Sequence, residues 1–457
     1  MEQFDAIVIG SGSGMVVASA AVEQGLRVAL VEHGKMGGTC INVGCVPSKM
    51  LIYPTDVVSA VKESEKLGVH ATVDSVDFQN IMARMHELVN HDSGHQAAAV
   101  EATTNMVWFK ERGEFVSDYT LQVGQHTITA PMIFIVSGVR VGIPPVKGID
   151  QVGYLTNDTV LELQAPPKSI LIIGGGYIGM EYGHFFSGTG TKTTVLQRPD
   201  RVLPEEEHEV SELLKTEMQQ RMEIYTGFEV LEAKQEGPTK TLLARNRLDG
   251  SKREFSAEAV LVATGRVSNA DLLKPEKTGV HLNEHNFIKV NEFLETDKKG
   301  IWAFGDAIGK HMFKHVANYE AGIAWHNAFH EHKVPMDFLA APHAVFTHPQ
   351  VASVGLREEE AKQQYRKIHV GKAFYRDTAM GAAMGFPEGF VKVIVEGETG
   401  KIVGGHVIGP EASILIQEIV NAMVSETGGF ASIAQAMHIH PALSEVVQNA
   451  FGNLQHV

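Results

Sequence analysis

Cysteine is scarce in this chain: its 457 residues hold two, Cys40 and Cys45. They permit one intrachain disulfide, and that bridge closes so little chain that it would add little stability. Positive charge is also short, with 39 Lys and Arg against 54 Asp and Glu and a net charge of −15. Such an acidic balance argues against nucleic acid and against an anionic membrane as partners. No apolar run approaches the roughly 20 residues needed to cross a bilayer. The first strand-like run begins at Phe4, which leaves no room for a signal peptide. A cytoplasmic location is therefore expected, where a disulfide is usually catalytic rather than structural. Low-complexity segments are absent too. The length is too great for a single core and points to three or four domains.

What is present starts with the sentence that holds both thiols, Gly37-Gly38-Thr39-Cys40-Ile41-Asn42-Val43-Gly44-Cys45-Val46-Pro47-Ser48-Lys49. C-x4-C spacing on the first turn of a helix lets two sulfurs approach bonding distance. A bridge that adds little to folding is one to be reduced and re-formed, and a helix N-terminus favours the thiolate such chemistry needs. The competing readings are a pair of small buried hydrophobes or half of a metal site.

The flanks favour redox chemistry. Phe4-Asp5-Ala6-Ile7-Val8-Ile9 reads as a strand, followed by Gly10-Ser11-Gly12-Ser13-Gly14, a helix, and a second apolar run that ends in Glu32. Strand, glycine turn, helix, strand and acid make up a dinucleotide-binding fingerprint. Gly10 permits the turn, Gly12 lets the backbone approach a pyrophosphate, and Glu32 can take ribose hydroxyls. The third glycine position holds Met15, with Gly14 beside it to relieve crowding. A second copy follows at Ser169–Ile173, with Gly174, Gly176 and Gly179 all present and Tyr177 inside the turn. Its second strand ends in Gln197-Arg198, where an acid would suit NAD. Two such sites mean two nucleotides, one fixed and one exchanging.

These residues together resemble the pyridine nucleotide–disulfide oxidoreductases, the group containing dihydrolipoamide dehydrogenase, glutathione reductase and mycothione reductase. The resemblance spans essentially the whole chain. Thr296 to Asp306 resembles the second flavin motif, and Ile135-Val136-Ser137-Gly138 and Val262-Ala263-Thr264-Gly265-Arg266 resemble the paired crossings between domains. His438-Ile439-His440-Pro441-Ala442-Leu443-Ser444-Glu445 resembles the C-terminal catalytic signature. The resemblance implies an α/β fold of two Rossmann-like domains, for FAD and NAD(P), plus a C-terminal α+β dimerisation domain. The expected boundaries are 1–147 and 268–336 for the flavin domain, 148–267 for the nicotinamide domain and 337–457 for the interface domain.

The resemblance also implies roles. Cys45 is the thiol beside the flavin and Cys40 the interchange thiol. His440 is the acid–base group, oriented by Glu445 and supplied by the partner subunit of a homodimer. Lys49 and Glu181 form the ion pair near the flavin. FAD is expected at Gly10, Gly12, Gly14, Glu32, Gly38, Thr39, Lys49, Ser137, Gly138 and Asp306. NAD(P)H is expected at Gly174, Gly176, Tyr177, Gly179, Gln197, Arg198 and Gly265. No metal site is expected: His326, His330 and His332 lack a carboxylate or thiol to complete a set.

The resemblance implies a small dithiol or disulfide as the substrate. Two cysteines set the chain apart from mercuric reductases and large thioredoxin reductases, which need further C-terminal cysteines or selenocysteine. The active-site wording, with Ser48 and Ser444-Glu445, leans toward dihydrolipoamide dehydrogenase, the first expectation. Longer stretches, including Lys314-His315-Val316-Ala317-Asn318, lean toward mycothione reductase, and Gln197 with Arg198 and Arg201 leans toward NADPH. An NADPH-dependent reductase of a low-molecular-weight thiol disulfide is the alternative. A non-catalytic nucleotide-binding subunit is disfavoured by the intact set of Cys40, Cys45 and His440.

Overall fold

The computed structural model describes residues 1–457, which separate into two compact units. The first unit comprises Met1–Ser48, Met82–Gly142 and Gly265–Asp337. Its centre is a five-stranded parallel sheet in the order Ile301–Ala303, Met132–Ile135, β1 (Ala6–Ile9), β2 (Val28–Val31), Met106–Phe109. Every residue of β1 and β2 is buried, as expected for a parallel sheet covered on both faces. Helix α1 (Gly14–Glu23) crosses between β1 and β2 and turns Val17, Ala18 and Ala21 inward. A short antiparallel pair, Val139–Val141 with Arg266–Ser268, marks where the chain leaves this unit and returns.

Between β2 and the next strand lie α2 (Gly38–Asn42) and α3 (Cys45–Glu63). The two cysteines were expected on one helical turn. Instead Cys40 belongs to α2, the chain breaks at Val43-Gly44, and Cys45 opens α3. The break is steric: a Cβ on Gly44 would stand 2.9 Å from the Thr39 carbonyl oxygen, so only glycine lets the chain fold back there.

The second unit comprises Lys49–Ile81, Ile143–Thr264 and Phe338–Val457. It carries a four-stranded parallel sheet in the order Glu223–Thr226, β4 (Lys192–Gln197), β3 (Ser169–Ile173), Ala259–Val262. Helix α4 (Tyr177–Gly188) links β3 to β4 and is buried from Gly179 to its end. Its glycines allow this: at Gly188 a Cβ would lie 2.5 Å from Thr55. The same unit holds a six-stranded antiparallel sheet running from Pro342–Val345 to Gln455–His456. Helices Ala412–Met423 and Ser444–Gly452 pack on it, through a core that includes Val391, Val393, Ile416, Ile419, Val446 and Phe451. The stretches expected as nicotinamide and interface domains thus fall in one unit, each with its own sheet. No helix is long and apolar enough to cross a membrane.

Candidate active site

In the first unit the glycine turn between β1 and α1 is built by close backbone approach. Gly10 has φ +111°, and a Cβ there would lie 2.2 Å from the Val136 carbonyl oxygen. Gly12 is open, with nothing within 4 Å of such a Cβ. Gly14 does the packing that the third glycine does elsewhere, since a Cβ on it would meet Val8 at 2.8 Å. Met15 is thereby accommodated, because α1 already begins at Gly14.

Glu32 organises the turn. Its carboxylate accepts hydrogen bonds from the Ser11 amide at 3.0 Å, the Ser11 hydroxyl at 2.9 Å and the Gly34 amide at 2.7 Å. The Ser11 hydroxyl in turn accepts from the Gly37 amide at 3.1 Å. A Cβ on Gly38 would lie 2.8 Å from the Gly12 Cα. These contacts dock the start of the thiol segment on the glycine turn. Asn42 clamps that segment from within, donating through Nδ2 to the carbonyls of Lys35, Met36 and Gly38.

Cys40 is half-buried and Cys45 exposed, both as free thiols. Their side chains hydrogen-bond, and this contact, followed by burial, pushes the Cys40 thiol well up from its ordinary value. Lys314 opposes the upward push on Cys40. No role in the site was expected for it from the sequence. Lys314 is the first residue of helix Lys314–Phe329, and its Nζ donates to the Ser13 hydroxyl at 3.3 Å. Ser13 donates onward to Asn318 Oδ1 at 2.9 Å.

Of the remaining expected flavin residues, Lys49 belongs to the second unit and the others to the first. Thr39 is exposed on α2. Gly138 has φ +65° and its carbonyl accepts from the Asn269 amide. Asp306 lies in a single 3₁₀ turn, its carboxyl raised by burial and lowered by Arg266 and Lys314. Glu320, also unforeseen, is fully buried, accepts from the Gly305 amide at 2.5 Å and is pushed up to about 7 by burial.

This surround fits FAD. The Ser137 hydroxyl is buried with no hydrogen-bond partner, the Gly12 backbone is open to a pyrophosphate, and the β2 end carries a fixed carboxylate. Gly10, Gly12, Gly14, Glu32, Ser137 and Asp306 would hold the group. When bound, it carries an electron pair between a nicotinamide and a disulfide.

In the second unit Gly174 has φ +109°, and a Cβ on Gly179 would lie 1.9 Å from the Gly174 carbonyl oxygen. Here the third glycine is a strict requirement. Gly176 is open, and Tyr177 begins α4 half-buried. Gln197 is buried at the end of β4, where Oε1 accepts from the Gly175 amide at 2.7 Å and Nε2 donates to the Arg201 carbonyl at 3.2 Å. Arg201 was expected to face a phosphate, but its guanidinium is turned to the Pro204 carbonyl at 2.9 Å. Arg198 pairs with Glu229 at 3.2 Å, and Arg245 pairs with the same carboxylate at 2.6 Å. Arg247 Nη1 donates to the Arg198 carbonyl and adds to the positive field on Glu229. Open Gly176 at a helix N-terminus fits the pyrophosphate of a second dinucleotide. Gly265 belongs to the first unit; it has φ +111° and its carbonyl accepts from the Gly142 amide.

Lys49, on α3, places Nζ 2.7 and 2.9 Å from the two oxygens of Glu181, whose side chain is 7% exposed. The Phe346 amide donates to Glu181 at 2.9 Å, and the Phe346 ring lies 4.5 Å from Lys49 Nζ. Phe346 carried no sequence signal. Farther along, His440 Nδ1 lies 2.8 Å from Glu445 Oε1, and the Ala442 amide donates to the other carboxylate oxygen at 3.0 Å. His440 presents the rest of its ring, with its side chain 74% exposed. The histidine bond, then the amide, hold the Glu445 carboxyl below its ordinary value. No group of three or more His, Cys, Asp or Glu is placed to hold a metal ion; His326 instead contacts the His332 carbonyl at 2.9 Å.

Residues 4–322 match the family model for pyridine nucleotide-disulphide oxidoreductases, and 341–451 match the family's dimerisation domain. The chain belongs to this family. It is 34% identical over 470 residues to a mycothione reductase of Mycobacterium tuberculosis, covering 100% of both chains. It is 34% identical over 451 residues to a dihydrolipoyl dehydrogenase of Chlamydia pneumoniae, covering 97% of this chain and 95% of that one. Among solved structures it is similar to the HOCl-induced flavoprotein disulfide reductase RclA from Escherichia coli, with TM-score 0.86, 25% identity and coverage of 98% and 99%. Members of the family use FAD and NAD(P)H, so this chain is an oxidoreductase with two nucleotides and a dimerisation domain.

Proposed function

We propose that the chain is an NADPH-linked reductase of a low-molecular-weight disulfide, working as a homodimer in the cytoplasm. The observation that carries this reading is the end of β4. The last residue of β4 is Gln197, not an acid that would take a ribose 2′-hydroxyl or repel a 2′-phosphate. Gln197 is neutral and spends both ends of its amide tying the loop. Three guanidiniums, of Arg198, Arg245 and Arg247, gather around the single carboxylate of Glu229. A dianionic 2′-phosphate is the ligand such an excess of positive charge suits.

The chemistry follows from the residues. Two electrons and one proton open the Cys40–Cys45 bond to one thiol and one thiolate. A Cys40 thiolate attacks the external disulfide, forming a mixed disulfide and expelling a substrate thiolate. That thiolate takes a proton from His440. Cys45 then attacks Cys40 in the mixed disulfide, restoring the internal bridge and releasing the second thiolate. A Cys40 thiol needs a base to become the attacking thiolate, the role assigned to His440 with Glu445 fixing the tautomer. Ile439 and Met437 beside that histidine are apolar and exposed. Their cover by a second copy of the chain fits a base supplied by the partner subunit.

A second reading, a dihydrolipoamide dehydrogenase type, is favoured by the thiol segment, where Ser48 donates to the Cys45 carbonyl at 3.2 Å, and by the Ser444-Glu445 wording. Acceptor rates decide between them. NADPH oxidation with glutathione disulfide, mycothione and lipoamide should be fastest with one of the two thiol disulfides. Faster dihydrolipoamide oxidation with NAD than any NADPH-driven rate would establish the second reading instead.

A further inference from the structure

Glu445 orients the His440 ring, but the ring stands only as firmly as the backbone beneath it, and that backbone forms neither helix nor strand from Gln435 to Leu443. We propose that His438 and Glu418 are positioning residues for His440, a second histidine–carboxylate pair that pins the loop and thereby sets where the acid–base imidazole stands. The inference rests on the assignment of His440 as that acid–base group and holds for either substrate reading.

Four observations carry it. His438 is the residue this stretch sends inward: its side chain is 6% exposed, while Met437 and Ile439 on either side are exposed. A loop that merely collapsed on the protein would bury the methionine or the isoleucine first. Both nitrogens of the inward ring are engaged, Nε2 at 2.7 Å from Glu418 Oε1 and Nδ1 at 3.2 Å from the Ala436 carbonyl oxygen. That carbonyl also accepts from Gln448 Nε2 at 2.8 Å. Glu418 stands on helix Ala412–Met423 and Gln448 on helix Ser444–Gly452, and both helices are fixed to the six-stranded sheet through the core described above. His440 therefore lies between two ties, His438 two residues before it and the Ala442 amide, held by Glu445, two residues after it. Extended chain reaches at most about 3.5 Å per residue, so ties this close leave the His440 backbone little travel. Without His438 the preceding tie is Ala436, and the free length ahead of His440 doubles from two residues to four. Proton transfer is sensitive to such slack: a misplacement of about 1 Å can cost about 10²-fold in rate.

His438 and Glu418 move no proton themselves; they act through His440, and that separates them from a merely structural pair. The FAD-loaded dimer is followed in stopped flow as two half-reactions. One is reduction of the bound flavin by the nicotinamide nucleotide. The other is reoxidation, after one equivalent of dithionite, by the fastest of glutathione disulfide, mycothione and lipoamide. Glu418→Ala and His438→Ala should each slow reoxidation by about tenfold or more and leave flavin reduction unchanged. Glu418→Gln, which keeps an acceptor for the ring, should recover most of the rate. Should His438→Ala fail to assemble as a dimer in sedimentation, the two Glu418 variants decide. In a His440→Ala background neither substitution should cost anything further, because groups that act through one shared residue are not additive. Wild-type reoxidation in Glu418→Ala, an equal loss in both half-reactions, or a loss that adds in full to that of His440→Ala overturns the proposal. A His440→Ala protein that reoxidises at the wild-type rate overturns the acid–base assignment itself, and the proposal with it.

Discussion

At the scale of single residues, the thiol pair and its histidine have separable jobs. Replacing His440 by Ala removes a general acid–base group, a loss typically of about 10² to 10⁴ in rate. Disulfide turnover should fall by that amount while reduction of the bound flavin by NADPH, followed in stopped flow, changes little. A loss under tenfold with intact flavin would remove His440 from the mechanism. The sulfurs divide similarly. Anaerobic two-electron reduction should produce a long-wavelength absorption from a thiolate beside the flavin. Cys45→Ser should abolish it, and Cys40→Ser should show it permanently at neutral pH, without reduction; the opposite pattern would exchange the two assignments. Glu320 offers a test by pH. Its folded value of about 7 lies above an unfolded value of about 4.3. The folded state thus binds the proton more tightly, and this contribution is full below about pH 4.3 and is lost as pH rises through about 7. Since glutamine mimics the protonated form, the melting temperature of Glu320→Gln relative to wild type should climb from pH 5 to pH 8. A constant difference would contradict the burial argument.

Elements explain which glycines matter. At Gly179 an added Cβ would meet a backbone oxygen at 1.9 Å, and backbone cannot yield cheaply. Gly179→Ala should cost about 1–3 kcal/mol in chemical denaturation, the usual range for overpacking. Gly176→Ala, with nothing within 4 Å, should leave stability unchanged and raise KM for the nicotinamide nucleotide. Equal destabilisation by both would sink the distinction. These turns, their strands and the acid at Glu32 were legible because every part lies within one short stretch of sequence. His440 and Glu445 were legible for the same reason. What escaped notice is what the chain brings back from far away. Lys314 reaches the first glycine turn only after the whole inserted segment has been passed. Phe346 meets Glu181 on α4 from just beyond the strand Pro342–Val345, and Glu229, Arg245 and Arg247 come to Arg198 from a neighbouring hairpin. Side-chain direction was likewise invisible, which is why Arg201 was expected at a phosphate and is found at the Pro204 carbonyl. Nor does C-x4-C spacing reveal that Gly44 divides it between two helices.

For the whole molecule, the family's dimerisation domain and the exposed apolar residues beside His440 predict active sites shared between subunits. Cys40→Ser and His440→Ala proteins, unfolded and refolded together, should regain about a quarter of wild-type activity, since random pairing gives half heterodimers with one intact site in two. No recovery would place cysteines and histidine in the same subunit. The central claim, however, concerns which nucleotide feeds the enzyme. A charge-assisted contact to a 2′-phosphate contributes about 1.5–3 kcal/mol, and the exposure of Arg198 places its share at the lower end, near tenfold in binding. The most direct measurement is the ratio of kcat/KM for NADPH over NADH, in the wild type and in Gln197→Glu/Arg198→Ala. The predicted result is a wild-type preference for NADPH that falls by about tenfold or more in the double variant; a wild-type preference for NADH above tenfold, unchanged in the double variant, would contradict it.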